Sequence, residues 1–217
     1  AVTSGVRSVM NNSGQSCNAP TRMLVPNARM AEALAFAKEA AEATTVGTPD
    51  SGASIGPVIS ATQWDKIQTL INRGIAEGAK VVAGGPGKPA GLDTGYYVRP
   101  TVLGPVRNDA TVAREEIFGP VLVVIPFDDD DDAVALANDT AYGLAGAVWS
   151  RDVSRAQRLA RRVHAGTMWV NDVAVLADFV PFGGYKESGI GREFGDEGLK
   201  AYTQTKVIYT SNEATSH

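Results

Sequence analysis

VLVVIPF, residues 121–127, is the segment that decides the fold, because none of its side chains is polar. A short apolar run of this kind is typical of a strand that is buried on both faces, as in a parallel sheet covered by helices on each side. It predicts a central strand in the interior of an α/β domain.

Segments of strand character alternate with helical segments along the rest of the chain. Strong helix formers fill residues 28–43, and an apolar face with helical spacing extends over residues 61–77. Other strands are predicted at residues 21–25, 80–83, 96–103, 144–149 and 167–170, and other helices at residues 133–137 and 153–163. This alternation predicts an α/β fold, a three-layer αβα domain with a mostly parallel sheet.

Composition and charge argue against several classes of protein. Apolar residues make up 44% of the 217 residues and charged residues 20%, as in ordinary globular domains. The net charge of −4, without a basic patch, argues against a nucleic-acid partner. No apolar run reaches the roughly eighteen residues of a membrane helix, and residues 1–10 lack the pattern of a secretory signal. One cysteine forms no internal disulfide, so we expect a cytoplasmic protein without a membrane partner.

Five consecutive aspartates, residues 128–132, precede the apolar helical segment 133–137. Carboxylates at a helix N-terminus interact favourably with the helix dipole. Since no histidine lies nearby to complete a metal site, we interpret the run as the start of a helix and predict no metal.

Cys17 is the only cysteine in the chain. A thiolate is a strong nucleophile when its pKa is lowered or when a base lies beside it. The small and polar residues around it suit a loop that is open to a substrate. A single cysteine is also often a buried, inert side chain. From this residue alone both interpretations stay open, because a nucleophile needs a located partner.

Three motifs extend the argument beyond the cysteine. Residues 14–17 read GQSC, residues 115–121 read EEIFGPV, and residues 181–193 read PFGGYKESGIGRE. In this order they resemble the nucleophile motif, the nicotinamide-side motif and the C-terminal signature of the NAD(P)-dependent aldehyde dehydrogenases. Weaker matches connect them at residues 56–59, 77–79 and 138–144. The resemblance extends over nearly the whole chain.

The resemblance also implies that part of such an enzyme is missing. Family members begin with a dinucleotide-binding domain, but only sixteen residues precede Cys17, whereas a single βαβ unit needs about thirty. We therefore expect residues 1–201 to be an N-terminally truncated catalytic domain, the C-terminal portion of such an enzyme. Residues 202–217 are expected to form a C-terminal oligomerisation strand, at residues 202–210, and a tail. The intact enzyme would be a homo-oligomer, a dimer or a tetramer.

The reaction that the resemblance implies is oxidation of an aldehyde to a carboxylic acid with NAD or NADP. Cys17 would attack the carbonyl to give a thiohemiacetal, and its backbone N–H would be one donor to the oxyanion. After hydride transfer, water activated by a glutamate would hydrolyse the thioester. That glutamate belongs to the missing part, so we expect this chain alone to be impaired.

The resemblance assigns cofactor contacts to four residues. Glu116 matches a glutamate that binds the nicotinamide ribose hydroxyls, and Phe118 matches an aromatic residue that packs beside the nicotinamide. Gln63 and Lys66 match residues that approach the ribose and phosphate region, although both could equally be solvated side chains of a helix. The cofactor site would be incomplete in this chain.

The resemblance also assigns residues to the substrate side. Val175, Leu176 and Phe182 fall where family members line the aldehyde tunnel, and their apolar character predicts an uncharged, hydrophobic aldehyde. Asn18, next to the nucleophile, belongs to the same substrate-binding set. Glu193 matches a glutamate close to the active site that takes part in a water or proton path.

Two other functions remain open at this stage. Cys17 together with His164, the only internal histidine, would make a cofactor-independent thiol esterase. However, His164 follows an arginine-rich helix, and a cation there interacts favourably with the helix dipole. The third hypothesis is a non-enzymatic assembly domain that associates through its C-terminal strand.

Overall fold

The computed structural model describes residues 1–211. The helices are α1 (Val2–Met10), α2 (Met30–Glu42), α3 (Ala61–Ala76), α4 (Thr111–Arg114), α5 (Asp130–Asn138), α6 (Val153–Ala160) and α7 (Gly195–Lys200). The strands are β1 (Arg22–Pro26), β2 (Val81–Ala83), β3 (Thr101–Leu103), β4 (Val121–Phe127), β5 (Tyr142–Gly143), β6 (Ala145–Val148), β7 (Thr167–Val170) and β8 (Tyr185–Lys186). Within these residues, none of the helices combines the length and the apolar character needed to span a lipid bilayer.

Strand β4 lies in the middle of three layers, as its apolar sequence predicts. Leu122 and Val124 belong to a buried cluster with α1 and α2 on one face of the sheet. Val121, Val123 and Ile125 belong to a second buried cluster with α3 and α4 on the other face. Because successive strand residues point to opposite faces, an unbroken apolar sequence supplies both clusters. Full burial stabilises the fold by about 1.5–3 kcal/mol for each such side chain.

The four-stranded sheet is mixed, and two of its three strand pairings are parallel, in keeping with the prediction of a mostly parallel sheet. The four strands lie in the order β1-β4-β3-β2; β1 and β3 are parallel to β4, but β2 is antiparallel to β3. Residues 84–100, which join β2 to β3, contain no helix, and a parallel neighbour requires a crossover that is usually helical. Strands β6 and β7 form a separate parallel pair, and β5 and β8 a separate antiparallel pair.

Two helices begin at a side-chain cap. Ser60 caps α3, since its hydroxyl accepts a hydrogen bond from the Gln63 amide at 3.2 Å. Asp129 caps α5 by accepting from the amides of Asp131 and Asp132, both at 2.9 Å. The aspartate run therefore starts a helix, as predicted. The aspartate run also forms two ion pairs. Asp130 pairs with Arg155 on α6, and Asp131 pairs with Arg162, which follows α6.

The structure does not confirm the predicted C-terminal strand in the part of the chain that it describes. Residues 203–211 have no regular secondary structure. Three of their apolar side chains are at least four-fifths exposed, namely Val207, Ile208 and Tyr209. A strand is held by hydrogen bonds to a neighbouring backbone, and no strand pairing in the described part of the chain involves residues 203–210. Residues 212–217, assigned to the predicted tail, lie outside the described residues.

Candidate active site

Cys17 follows a left-handed turn at the end of α1. Asn12, Ser13 and Gly14 have φ values of 52°, 55° and 72°. For a residue with a Cβ this conformation costs roughly 1–2 kcal/mol, so surrounding contacts must hold the turn. One such contact is the hydrogen bond from the Asn12 side chain to the Gln15 carbonyl at 2.9 Å. The turn places Cys17 on an exposed loop.

Two side chains of this nucleophile loop, defined here as residues 12–18, anchor it to the segment before α3. The Ser13 hydroxyl donates to the Gly56 carbonyl at 2.8 Å. The Gln15 side-chain carbonyl accepts from the Ile59 amide at 2.9 Å. The loop is therefore held on both sides of Gly14. Sequence reasoning did not single out Ser13 or Gln15, although Gln15 lies within the GQSC motif.

The nucleophile loop touches the second motif at Gly14. A Cβ atom added to Gly14 would lie 2.0 Å from the carbonyl carbon and oxygen of Gly119 and 2.4 Å from the nitrogen of Pro120. Only glycine fits such an approach of two backbones, and its positive φ also favours glycine. The GQSC and EEIFGPV motifs thus meet in space.

Helix α3 holds the second motif from the other side. The Gln63 side-chain amide donates to the Ile117 carbonyl at 3.0 Å and to the Phe118 carbonyl at 2.8 Å. Phe118 is partly buried and has a φ of 55°. Ile67, one turn after Gln63, packs so closely on Gly119 that a Cβ there would lie 2.4 Å from its Cδ1 atom.

Glu116 is exposed, and Tyr142 lies beside it. Burial, followed by the negative charges of Glu116, Glu115 and Glu187, raises the pKa of the Tyr142 phenol; a hydrogen bond from the Glu116 backbone opposes the rise. Sequence reasoning did not propose Tyr142 as a site residue, although it lies within the weaker motif at residues 138–144. That motif is the signal that could have found it.

Two further predicted residues accompany this cluster. Lys66 lies one turn after Gln63 on α3, is exposed, and makes no hydrogen bond or ion pair to any residue in the range 1–211. Asn18 is partly buried next to Cys17. The structure therefore brings Gln63, Phe118 and the nucleophile loop together through Gly119.

The other predicted site residues lie on segments that follow β7. Phe182 and Glu193 are paired by two backbone hydrogen bonds of 2.8 and 2.7 Å. Val175 and Leu176 are about half exposed, and the Val175 carbonyl accepts from the Trp169 indole at 2.8 Å. Over residues 1–211, no hydrogen bond joins these residues to the nucleophile loop.

The Cys–His pair that the thiol-esterase hypothesis requires is absent from the part of the chain that the structure describes. The His164 amide donates to the Asn138 side chain at 2.7 Å, and no contact links His164 with Cys17. Neither the thiol nor the backbone N–H of Cys17 has a hydrogen-bond partner there. The described residues also contain no group of three or more side chains suited to hold a metal ion.

Comparison with known proteins identifies the family. The model of the aldehyde dehydrogenase family matches residues 1–208. A putative aldehyde dehydrogenase of Staphylococcus aureus is 49% identical over 201 residues, which are 92% of this chain and 42% of that protein. The chain thus spans less than half the length of the curated relatives it matches.

Solved structures agree with this match. Aldehyde dehydrogenase C of Pseudomonas syringae, crystallised as a mutant with NAD+ and octanal, superposes with a TM-score of 0.93 at 46% identity, over 96% of this chain and 43% of that one. An aldehyde dehydrogenase of Mycobacterium tuberculosis, complexed with NAD+, gives 0.93 at 44% identity, over 99% of this chain and 44% of that one. With its motifs meeting at Gly14 and Gly119, this chain belongs to the aldehyde dehydrogenase family.

Proposed function

We propose that this chain carries the thiol-bearing part of an active site that oxidises an aldehyde to a carboxylic acid. The Cys17 thiolate forms a bond to the carbonyl carbon, and the carbonyl electrons move to oxygen to give a thiohemiacetal. A bound nicotinamide dinucleotide would supply the acceptor for the hydride of that carbon, and a thioester would remain on Cys17. Water then cleaves the thioester, releasing the acid and the thiol.

The surroundings of Cys17 support this role. The thiol lies on an exposed loop whose backbone is held by Ser13 and Gln15. The Cys17 N–H is unbonded within residues 1–211 and is available to stabilise the oxyanion. Loss of one such donor typically costs about 3 kcal/mol of transition-state stabilisation.

The residues of the second motif fit the nicotinamide end of a dinucleotide. A carboxylate accepts hydrogen bonds from two hydroxyls at once, and the exposed Glu116 carboxylate can accept them from the two hydroxyls of a ribose. Phe118 supplies an aromatic face, and the ammonium of Lys66, which has no ion-pair partner among residues 1–211, suits a phosphate. Gln63 lies beside this motif, where its Nε2 group donates to two backbone carbonyls. Similar structures contain NAD+, which supports NAD for this chain.

The substrate is proposed to be an uncharged, hydrophobic aldehyde. Val175 and Leu176 expose apolar surface, and Phe182 lies on the backbone bridge to Glu193. The similar Pseudomonas syringae enzyme was crystallised with octanal, an apolar aldehyde. Glu193, paired with Phe182, would move a proton or a water molecule near this region.

We further propose that this chain corresponds to the C-terminal portion of its relatives. They are more than twice as long as the segment that this chain matches. The general-base glutamate and most of the dinucleotide site would belong to the unmatched part, so aldehyde oxidation by this polypeptide alone would be impaired. The intact protein would be a homo-oligomer.

The contact between Gly14 and Gly119 carries the proposal, because it joins the nucleophile loop to the nicotinamide-side motif. The test measures octanal-dependent reduction of NAD+ and NADP+ by this polypeptide, with Cys17→Ala as the control. In parallel, the rate at which iodoacetamide alkylates Cys17 is measured with and without octanal. We expect little turnover, but octanal should slow the alkylation because it forms a reversible adduct with the thiol.

Three results would contradict the proposal. Fast turnover that requires Cys17 would place a general base and a dinucleotide site within these residues. Alkylation that octanal does not slow would remove Cys17 as the group that attacks the aldehyde. Ester hydrolysis without a dinucleotide, lost in Cys17→Ala, would favour the thiol esterase.

A further inference from the structure

The turn at Ile117–Gly119 depends on one side chain from another element. Its two consecutive carbonyls, of Ile117 and Phe118, both accept from Gln63 Nε2, at 3.0 and 2.8 Å. The bonds span 54 and 55 positions of sequence. They fix the direction of both peptide groups relative to α3.

The turn needs such a restraint because its backbone is unfavourable. Phe118 has a φ of 55°, in the left-handed region that residues with a Cβ rarely adopt. Conformations of this kind persist only when the surrounding structure over-determines them. Gln63 supplies two hydrogen bonds, and the Ile67 side chain closes the space over Gly119.

The same turn presses against the loop that presents Cys17. Gly119 lies against Gly14, so that a Cβ on Gly14 would be 2.0 Å from its carbonyl. Because packed backbones transmit a displacement, a shift of the Phe118 turn removes one wall of the nucleophile loop. The other supports, from Ser13 to Gly56 and from Ile59 to Gln15, do not involve Gln63.

We propose that Gln63 is a positioning residue that fixes the Phe118 turn and, through Gly119, the loop that carries Cys17. Its importance for catalysis rests on the proposed role of Cys17 as nucleophile. The mechanical coupling between the Phe118 turn and the nucleophile loop does not depend on that role, and it can be measured without aldehyde or dinucleotide. A failure of the coupling is therefore distinguishable from a failure of the proposed function.

The test compares Gln63→Leu, which removes both donors at similar volume, with Gln68→Leu on the same helix. Gln68 is the matched control because its side chain accepts from the Gly87 amide, away from both loops. Hydrogen exchange is followed at two amides, Val121, bonded to the Gly119 carbonyl, and Gln15, bonded to the Asn12 carbonyl. The alkylation rate of Cys17 by iodoacetamide is measured against pH.

We expect Gln63→Leu to accelerate exchange at both amides at least tenfold and to change the alkylation rate at least threefold. Gln68→Leu should change these values less than twofold while accelerating exchange at Gly87. Rates within twofold of the unmodified chain in Gln63→Leu would overturn the proposal. Faster exchange at Val121 alone, or equal acceleration everywhere in both variants, would also overturn it.

A second substitution tests the proposal if the Gln63→Leu variant does not fold. Gln63→Glu keeps the shape of the side chain, but its carboxylate cannot donate to the carbonyls, whereas its protonated form can donate to one of them. Exchange at Val121 and Gln15 should therefore slow at least threefold, relative to the same amides in the unmodified chain, as the introduced carboxyl is protonated. Absence of this pH dependence in a folded protein would contradict a role for the two donors.

Discussion

Gly14 and Gly119 pack backbone against backbone, with room for no side-chain atom between them. Gly14 belongs to the turn that leads to Cys17, and Gly119 follows the strained Phe118. The two residues lie far apart in the sequence, yet their contact sets the distance between the nucleophile loop and the EEIFGPV motif. A small disturbance there should therefore affect both.

Replacement of Gly14 should be more damaging than that of other glycines with a similar backbone. Gly14→Ala combines a positive φ of 72° with a contact of 2.0 Å. Gly52 is the control, since its φ is 74° but nothing lies within 4 Å of an added Cβ. We expect Gly52→Ala to lower the free energy of unfolding by about 1 kcal/mol and Gly14→Ala to lower it by a further 1–3 kcal/mol or so. Urea unfolding measures both values; equal losses would contradict the close contact.

Glu77 should make the stability depend on pH in the acid range. Hydrogen bonds from the Thr111 hydroxyl, from Arg73 and from the Thr111 amide lower the pKa of Glu77 from 4.5 to about 2. Since the folded-state pKa is the lower one, the stabilisation is present above pH 4.5 and is lost as the pH falls toward 2.

The variant Glu77→Gln tests this dependence. The melting temperature of the unmodified chain should exceed that of the variant at neutral pH, and the two should converge as the pH approaches 2. Glu39→Gln is the control, because no hydrogen bond or ion pair of the Glu39 side chain is present in the described part of the chain. A difference that stays constant with pH would show that the charge of Glu77 is not responsible.

Tyr142 reports on the charge of Glu116. Burial, and after it that charge, raises the pKa of the phenol, so Glu116→Gln should lower it. The titration is followed by tyrosinate absorbance. Each variant is compared with the same protein carrying Tyr142→Phe, because the difference isolates the signal of Tyr142 among the six tyrosines. Glu39→Gln again serves as the control, and an unchanged titration in Glu116→Gln would show that the charge of Glu116 does not act on Tyr142.

The exposed apolar residues after α7 should promote self-association. Ile208 is 80% exposed between Val207 and Tyr209, which are exposed to a similar extent. Contiguous apolar surface of this kind favours association. Ile208→Lys should shift sedimentation toward smaller species at a given concentration, whereas Thr205→Lys adds the same charge at a polar, exposed position and should have less effect. If the two substitutions had equal effects, the shift in sedimentation would be due to the added charge alone.

The sequence by itself determined the centre of the fold and the chemical groups of the site. The apolar run at Val121–Phe127 required burial on both faces, and the aspartate run required a helix start, because periodicity and capping are local properties. The motifs around Cys17, Glu116 and Phe118 identified the family, since they consist of neighbouring residues whose chemistry can be recognised without a fold.

Only the tertiary structure decided how these groups meet. The approach of Gly14 to Gly119 and the bonding of Gln63 to the Phe118 turn join distant segments, and no local pattern specifies which backbone a side chain reaches. The orientation of β2 and the absence of a strand at residues 203–211 depend equally on which backbone lies alongside. A strand, unlike a helix, satisfies its hydrogen bonds on a partner, and the partner is a property of the assembled fold.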